Sequence, residues 1–343
     1  MYIQDLQNTI NILATPGKGI LAADESAATI GKRFAAVGVE STEKTRAEYR
    51  ELLMATPNIN EFIAGVILFD ETLHQKTSHG ILFPDFLKKQ NILAGIKVDK
   101  GLVSLPFTQE EQTTQGLDGL AERMQDYKNK GASFAKWRAV YAISANTPST
   151  AAIRANAEGL ACYAAICQAA GIVPIVEPEI LIDGEHTLEQ CEEVSEKVFH
   201  AVFHSLFKHH VKLEYMVLKP SMIISGKKCA KQATPEQVAK ATLAVLRRTV
   251  PAAVRTINFL SGGQSPEQAT ANLNAMHTLQ TQLPWNLSYS YARALQDYPL
   301  KIWQGNTKNT SAAQKAFYER AKLNSLASLG KYNPSMEKET SLA

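Results

Sequence analysis

The stretch Tyr215-Met216-Val217-Leu218-Lys219-Pro220 is a run of mostly apolar residues that leads into one lysine and then a proline. It predicts a buried strand that stops at the proline, because proline cannot donate a hydrogen bond to a strand ladder. Burial of Lys219 at the strand end disfavours its charged form, and a neutral lysine amine attacks carbonyl carbons. The alternative is a structural lysine, whose ammonium group reaches solvent or pairs with a carboxylate.

Seven other apolar runs resemble this one and alternate with helical patterns. Their lack of strict apolar–polar alternation is typical of parallel strands that are buried on both faces. The eight predicted strands are centred near Ala22, Ile67, Lys97, Trp137, Val176, Leu218, Phe259 and Tyr289, at separations of 30 to 45 residues.

Eight successive β-then-α units predict an α/β protein with a (β/α)8 TIM barrel. We expect one domain over residues 1–343, with the barrel at about 19–330. An extra amphipathic N-terminal helix is predicted over residues 2–14, with Ile3, Leu6, Ile10 and Leu13 on one face. The C-terminal extension, at about 331–343, is polar and expected to be flexible. A doubly wound open sheet is the alternative, which is disfavoured because no GxGxxG follows the first strand.

The composition is that of an ordinary globular protein, with 45% hydrophobic and 20% charged residues. Lys and Arg total 36 against 33 Asp and Glu, a net charge of +3, and no basic block indicates a nucleic acid or membrane partner. The N-terminus lacks the pattern of a signal peptide, and no apolar run is long enough for a membrane span. We therefore expect a cytoplasmic protein.

The four cysteines, Cys162, Cys167, Cys191 and Cys229, form no CxxC pair, and none is spaced from a histidine as in common zinc sites. This pattern favours a reducing compartment. Cys162 and Cys167 lie on a predicted apolar helix, where we expect both to be core thiols.

Charged side chains gather at the predicted strand ends, where barrel enzymes hold their active sites. They are Asp24, Lys97, Lys136, Arg138, Glu177, Glu179, Lys219 and Arg293. Alternation along a strand puts Lys136 with Arg138, and Glu177 with Glu179, on one face. A buried ion-pair network is one interpretation, although such networks contribute little stability. The other is a pocket for an anionic substrate, which we favour because the charges come from at least five strands.

The segment Phe259–Pro266 (FLSGGQSP) has a strand, two glycines and a helix start in succession. Backbone N–H groups in such a turn bind phosphate. Barrels often hold phosphate after strands seven and eight, and Arg293 follows the eighth strand. A plain turn is the alternative for Ser261-Gly262-Gly263 taken alone.

Together these motifs resemble the class I fructose-1,6-bisphosphate aldolase family, from Gly17 to about Pro334. The matching segments are Gly17–Ser26 (GKGILAADES), Gly65–Phe69 (GVILF), Gly95–Gly101 (GIKVDKG), Thr114–Leu120 (TTQGLDGL), Phe134–Arg138 (FAKWR), Gly171–Ile180 (GIVPIVEPEI), Leu218–Pro220 (LKP), Phe259–Ser265 (FLSGGQS) and Ala292–Gln296 (ARALQ). The resemblance implies a barrel lyase of glycolysis and gluconeogenesis that needs no metal or other cofactor. It also implies a sugar phosphate substrate and a homotetramer.

The resemblance also implies roles for individual residues. Lys219 is expected to form a Schiff base with the substrate ketone, with Glu177 as the main acid and base. Glu179 is expected beside Lys219. Asp24 is expected to take the C4-hydroxyl proton, and Lys136 to assist electrostatically and favour the neutral form of Lys219. The expected phosphate contacts are Ser261, Gly262, Gly263 and Arg293 at the C1 end, and Ser26, Arg33, Lys97 and Arg138 near the C6 end.

The chain departs from the family pattern at its end, where Thr340–Ala343 stands in place of a terminal tyrosine that many relatives use at C3. Thr29 also stands where many relatives have serine, and Ala292 where animal relatives have glycine. Other Schiff-base barrels, such as a transaldolase or a deoxysugar aldolase, remain alternatives. The predicted second phosphate-binding site, near the C6 end, disfavours them. A barrel kept only as an adhesin or scaffold is a further alternative, which predicts a damaged charge cluster.

Overall fold

The computed structural model describes residues 2–279 and 282–337. The strands are β1 (Gly19–Ala23), β2 (Ile63–Leu68), β3 (Leu93–Lys97), β4 (Leu102–Ser104), β5 (Gln112–Thr114), β6 (Ala132–Tyr141), β7 (Val173–Ile180), β8 (Val217–Leu218), β9 (Thr256–Phe259) and β10 (Asn286–Tyr291). The helices are α1 (Ile3–Leu13), α2 (Ala27–Ala35), α3 (Glu43–Met54), α4 (Asp70–His74), α5 (Phe83–Lys89), α6 (Leu120–Asn129), α7 (Thr150–Ala169), α8 (Leu188–Lys208), α9 (Pro235–Thr249), α10 (Pro266–Leu279), α11 (Arg293–Trp303) and α12 (Thr310–Ala327).

All strands except β4 and β5 form one closed parallel barrel, in the order β1, β2, β3, β6, β7, β8, β9, β10. The ring closes because β1 pairs with β2 on one side and with β10 on the other, where Ile20 lies opposite Ser290. The predicted TIM barrel is therefore confirmed, and the open doubly wound sheet is excluded. The small antiparallel pair of β4 and β5 was not predicted.

The N-terminal helix α1 packs with the residues that fill the barrel interior. Leu6, Ile10 and Leu13 are buried in one cluster with Phe134 of β6 and residues of β1, β2, β7 and β8. The prediction that Ile3 shares this face is wrong, because Ile3 is 49% exposed. The helix thus supplies three apolar side chains to the core of the barrel.

The ring of Phe134 fills the space between β2 and β3, where both strands carry glycine. A methyl group at Gly65 would lie 2.9 Å from this ring, and one at Gly95 would overlap it more severely. Phe134 itself has no exposed surface. Gly65 and Gly95 therefore provide the room that the largest side chain of this interior cluster needs.

The predicted strand over Tyr215–Pro220 is shorter than expected. A 3-10 turn occupies Leu213–Tyr215, and regular strand is limited to β8. Backbone pairing nevertheless continues beyond β8, since the Lys219 N–H donates to the Val176 carbonyl at 2.8 Å. Pro220 has no N–H, so it cannot donate the next hydrogen bond of the ladder.

Several helices were not predicted because their sequences carry residues that usually mark breaks. Helix α2 contains Gly31, α5 begins with Phe83-Pro84, and α11 contains Pro299. A proline in the first turn costs no hydrogen bond, whereas an internal one removes a bond. Helix α4, also unpredicted, has only five residues.

Capping boxes begin α9 at Thr234 and α10 at Ser265. The Thr234 hydroxyl accepts from the Gln237 N–H, and the Gln237 side chain accepts from the Thr234 N–H. Ser265 and Gln268 make the same reciprocal pair. Such capping boxes satisfy N–H groups that the first helical turn leaves free.

The described part of the C-terminal extension, residues 331–337, packs on the body of the protein, and the flexibility of the extension stays a prediction. Tyr332 is buried and its N–H donates to Asn274. The carboxylate of Glu337 binds the buried guanidinium of Arg320 at 2.6 Å. The end of the predicted extension, residues 338–343, lies outside the described residues.

The four cysteines are free thiols. Cys167 is buried, as predicted, but Cys162 is partly exposed, so the prediction of a core thiol is wrong there. Cys162 lies on the side of α7 that meets the end of α8, where its sulfur is 3.8 Å from a ring nitrogen of His209.

Among the helices in residues 2–279 and 282–337, none is both long enough and apolar enough to span a membrane.

Candidate active site

Lys219 lies directly after β8, at the carboxyl edge of the barrel, and is only 4% exposed. Its ammonium nitrogen is 3.1 Å from an oxygen of Glu177, which lies on β7. The interpretation that the Lys219 head reaches solvent is therefore wrong, and pairing with a carboxylate is confirmed. The pair is itself suited to chemistry, because proton transfer between these groups leaves a neutral amine beside a carboxylic acid.

Lys136 of β6 holds the centre of the charge cluster. Its ammonium nitrogen is 2.8 Å from Asp24, 3.4 Å from the second oxygen of Glu177 and 3.8 Å from Asp99. Lys136 is 3% exposed. Asp24, Lys136, Glu177 and Lys219 are therefore brought together as the sequence predicted, by strands that end at the same edge of the sheet.

Burial and opposite charge act against each other on these groups. Burial raises the pKa of Asp24, but Lys136 and Lys219 outweigh it and lower that pKa to about 2. Burial likewise raises the pKa of Glu177, and Lys219 and Lys136 bring the net shift downward. Burial lowers the pKa of Lys136, yet its carboxylate neighbours, Asp24 foremost, raise it overall. Both carboxyl groups are therefore ionised, and Lys136 is a fixed cation.

Asp99 is a member of the cluster that sequence reasoning missed. It lies two residues beyond the end of β3, and one carboxylate oxygen is 3.6 Å from the Lys97 ammonium nitrogen. The other oxygen is 3.8 Å from Lys136 and has no hydrogen-bond partner. The signal was present in the segment Lys97-Val98-Asp99, because alternating residues of extended chain face the same side.

Glu179, which the resemblance implied beside Lys219, has its ion pair with Arg138 among the described residues. Its carboxylate accepts a hydrogen bond from the Arg138 guanidinium. Lys219 lies at the level of Val176 and Glu177, where its backbone bonds to β7. A residue two positions further along a strand is displaced by about 6.6 Å, so Glu179 lies nearer the mouth of the barrel.

Ser26 and Lys97 line one cavity of about 600 Å³, together with Asp99, Gly101 and Arg123. Ser26 precedes α2 and its hydroxyl accepts from the Thr29 N–H at 3.3 Å. The helix therefore presents its N-terminal N–H groups beside this cavity, next to the Lys97 cation. A helix N-terminus and a cation together favour an anion.

Arg33 and Arg138 do not line this cavity. The Arg33 guanidinium binds the carboxylates of Glu25 and Asp297 and also donates to Gln296. Arg138 is held by Glu179. Both arginines are thus paired with carboxylates, which reduces the charge that either could offer to a phosphate.

The turn Ser261-Gly262-Gly263 follows β9 as predicted, with φ angles of +55° at Gly262 and +83° at Gly263. Side chains rarely adopt such angles, so glycine suits both positions. Arg293 is exposed and is the first residue of α11, after β10. Because Phe259 pairs with Tyr289, the loops that follow β9 and β10 begin at neighbouring positions.

A larger cavity, of about 830 Å³, lies elsewhere, among side chains of α10, α11, α12 and the C-terminal extension. Its lining includes Glu267, Tyr298 and Arg320 but none of the charged residues around Lys136 and Lys219. Chemistry, rather than volume, identifies the site at the barrel mouth.

The closed barrel and the buried charges at its carboxyl edge define an enzyme of the TIM-barrel class. A family model described as fructose-bisphosphate aldolase class-I matches residues 5–343. The chain therefore belongs to the class I fructose-bisphosphate aldolase family, and it is a metal-independent aldehyde-lyase.

Individual relatives agree with this assignment along nearly the whole chain. The cytosolic fructose-bisphosphate aldolase 4 of Arabidopsis thaliana is 55% identical over 93% of this chain and 81% of its own length. The probable class 1 fructose-bisphosphate aldolase of Xanthomonas campestris is 51% identical over 97% of this chain and 99% of its own. The solved structure of the Plasmodium falciparum aldolase, in complex with TRAP and a small molecule inhibitor, superposes with a TM-score of 0.95 at 48% identity, covering 97% of this chain and 96% of its own.

Proposed function

We propose that the protein cleaves fructose 1,6-bisphosphate reversibly into glycerone phosphate and glyceraldehyde 3-phosphate, through a Schiff base on Lys219. The observation that carries this proposal is the buried contact of Lys219 with Glu177, beside the Asp24–Lys136 pair. Breaking a carbon–carbon bond next to a ketone requires an electron sink, which a protonated imine supplies, and a base for the neighbouring hydroxyl.

The surroundings distinguish the two buried lysines. Lys136 has three carboxylates within 4 Å, whereas Glu177 is the one carboxylate that pairs with Lys219 among the described residues. More negative charge stabilises the ammonium form, so Lys136 stays a cation. Lys136 is therefore the fixed cation of the site, and Lys219 is the lysine that attacks the C2 carbonyl.

Glu177 serves both halves of imine formation. It accepts a proton from Lys219 and so frees the amine for attack on C2. The resulting acid then protonates the hydroxyl of the carbinolamine, which leaves as water. Its position between Lys219 and Lys136, with one oxygen toward each, suits this exchange.

Asp24 takes the proton of the C4 hydroxyl. The bonding electrons of C3–C4 then move to the imine, and the aldehyde product forms. Its pKa of about 2 keeps Asp24 ionised at neutral pH. Lys136, 2.8 Å from Asp24, supplies positive charge near the C4 oxygen as that oxygen loses its proton.

The two phosphate groups bind at opposite ends of the cleft. The N–H groups of Ser261, Gly262 and Gly263, with the guanidinium of Arg293, hold the C1 phosphate. Ser26 and Lys97 hold the C6 phosphate at the N-terminus of α2. Arg33 and Arg138 lie outside the lining of the Ser26–Lys97 cavity, and we assign them a contact near this phosphate only after they leave their carboxylate partners.

The protein further acts in glycolysis and gluconeogenesis in the cytoplasm, as one domain over residues 1–343 and as a homotetramer. The cytosolic names of relatives support the location. Tyr332 does not replace the terminal tyrosine of relatives at C3, because its hydroxyl is bound to Glu337.

Borohydride reduction during turnover tests the proposal, because it converts the imine to a stable amine. We expect fructose 1,6-bisphosphate to label Lys219 and no other lysine, as located by peptide mapping. Lys219→Met should abolish both labelling and cleavage. Lys97→Met is the matched control from the same cleft, which should raise KM and keep the label. A label on Lys136, or cleavage that survives Lys219→Met, would refute the assignment.

A further inference from the structure

A thiol, an imidazole and a carboxylate meet on the outer surface of the barrel, between α7 and α8. Glu158 and Cys162 are one turn apart on α7, and His209 is the C-cap residue of α8. One ligand atom from each lies within 4.8 Å of the other two. The His209 Nε2 is 3.8 Å from the Cys162 sulfur and 2.6 Å from a Glu158 oxygen.

The cluster is separate from the reaction site. Helices of a TIM barrel run antiparallel to their strands, so the C-terminal end of α8 lies at the amino edge of the sheet. Lys219 lies at the carboxyl edge. The family needs no metal for its reaction, and this cluster therefore has no part in carbon–carbon cleavage.

Two of the distances between these atoms are close to those of a tetrahedral metal centre. Zinc bonds of about 2.0–2.3 Å to nitrogen, oxygen and sulfur place neighbouring ligand atoms about 3.4–3.6 Å apart. The 3.8 Å between the Cys162 sulfur and the His209 nitrogen already fits this. The 2.6 Å hydrogen bond between His209 and Glu158 widens by less than about 1 Å when a cation replaces it.

Exposure and position favour capture of an ion from solution. The side chains of Glu158 and His209 are 56% and 27% exposed, so an ion can reach them. The backbone of His209 is fixed, since its N–H bonds to the end of α8 and His210 turns the chain with a φ of +55°. His209 has a fixed backbone, and Glu158 and Cys162 share one face of α7. Binding of an ion therefore costs little conformational entropy.

We propose that Glu158, Cys162 and His209 bind one zinc-like divalent cation, with a fourth position open to water. A thiolate and an imidazole select zinc and similar borderline metals over magnesium or calcium, which prefer oxygen ligands. The bound ion joins α7 to α8, and its effect is to stabilise the fold. Ligands 47 residues apart explain why cysteine spacing gave no sign of the site.

Cobalt(II) absorption on the full-length, chelator-treated protein tests the proposal, because a thiolate ligand produces a charge-transfer band. We expect one equivalent of Co²⁺ to saturate the band and Zn²⁺ to displace it. Cys162→Ser should remove the band, and His209→Gln should weaken Co²⁺ binding at least about tenfold, as even outer-shell changes do at metal sites. The matched controls, Cys229→Ser and His204→Gln, replace partly or fully exposed residues outside the cluster and should leave the titration unchanged.

Thermal unfolding gives a second readout. Saturating Zn²⁺ should raise the Tm of the wild type but not that of Cys162→Ser, and steady-state cleavage should be the same with and without the ion. A wild-type protein without the band would overturn the proposal. So would a band that survives Cys162→Ser, one that is lost in Cys229→Ser, or a Zn²⁺-dependent Tm increase in Cys162→Ser equal to that in the wild type.

Discussion

Replacement of Lys136 by methionine removes the cation that three largely buried carboxylates share, while it keeps a side chain of similar length. Less positive charge then compensates Asp24, Asp99 and Glu177. Lys97 and Lys219 are the nearby ammonium groups that remain among the described residues. Burial raises the pKa of a carboxyl group whose cation is removed. We therefore expect the pKa of Asp24 to rise above its ordinary value of 3.8.

The size of the expected loss of stability follows from the pKa shift of Asp24. Lowering the pKa of Asp24 from 3.8 to about 2 in the folded state contributes about 2 kcal/mol of stability at neutral pH. This contribution is complete above pH 3.8 and is lost as pH falls toward 2. Removing one partner of a buried ion pair costs about 3–5 kcal/mol. Lys136→Met should therefore lower the free energy of unfolding by about 3 kcal/mol at pH 7.

The sign of the pH dependence distinguishes this explanation from a simple packing defect. In the variant the folded-state pKa values of Asp24 and Glu177 are raised, so protonation relieves the repulsion as pH falls. The stability difference from the wild type should narrow between pH 7 and pH 4.

Urea unfolding followed by tryptophan fluorescence measures that difference at each pH. Asp24→Asn combined with Lys136→Met should show a coupling energy of about 2 kcal/mol. Lys197→Met, which breaks an exposed pair with Glu193, should change stability by less than about 1 kcal/mol. A Lys136→Met difference that is constant from pH 7 to pH 4, or below about 1 kcal/mol at pH 7, would refute the reasoning.

Three further substitutions test the packing and the chemistry. Gly95→Ala puts a methyl group into the Phe134 ring, so urea unfolding should show a loss of about 1–3 kcal/mol or more; a loss below about 0.5 kcal/mol would contradict the fit. Gly159→Ala, in α7 with open space around it, should instead gain about 0.4–1 kcal/mol in the same assay. Glu177→Gln should slow cleavage by about 10²–10⁴-fold in a steady-state assay, whereas an unchanged rate would remove Glu177 from the acid–base role.

The architecture could be predicted because the physical signals were local and repeated. Eight apolar runs, most of them followed by a helical pattern, leave few arrangements other than a closed parallel barrel. Lys136, Glu177 and Lys219 could be predicted as neighbours for the same reason, since parallel strands end at one edge. The capping boxes at Thr234 and Ser265 are likewise local, because each joins two residues that are three positions apart.

The ion pairs and contacts between distant segments could not be predicted, because they depend on the tertiary packing of the barrel. The pairing of Arg138 with Glu179, and of Lys219 with Glu177, depends on how far along its strand each residue lies. That register is set by the packing of the whole ring. The contact of Cys162 with His209 likewise joins two helices that share no local pattern. Helix α11 was missed because Pro299 argues against a helix unless tertiary packing overrides it.

The pairing of β1 with β10, which closes the barrel, has a consequence for folding during synthesis. The Ser288 hydroxyl donates to the Lys18 carbonyl across 270 residues. At a synthesis rate of about 5–20 residues per second, β1 waits roughly 15–50 s for its second neighbour. Throughout that interval its free backbone groups offer an edge to other chains. In a closed barrel the strand made first always waits in this way for the strand made last, so a circular permutant that starts at β6 should leave the edge of β6 open, instead of that of β1, until β3 is made.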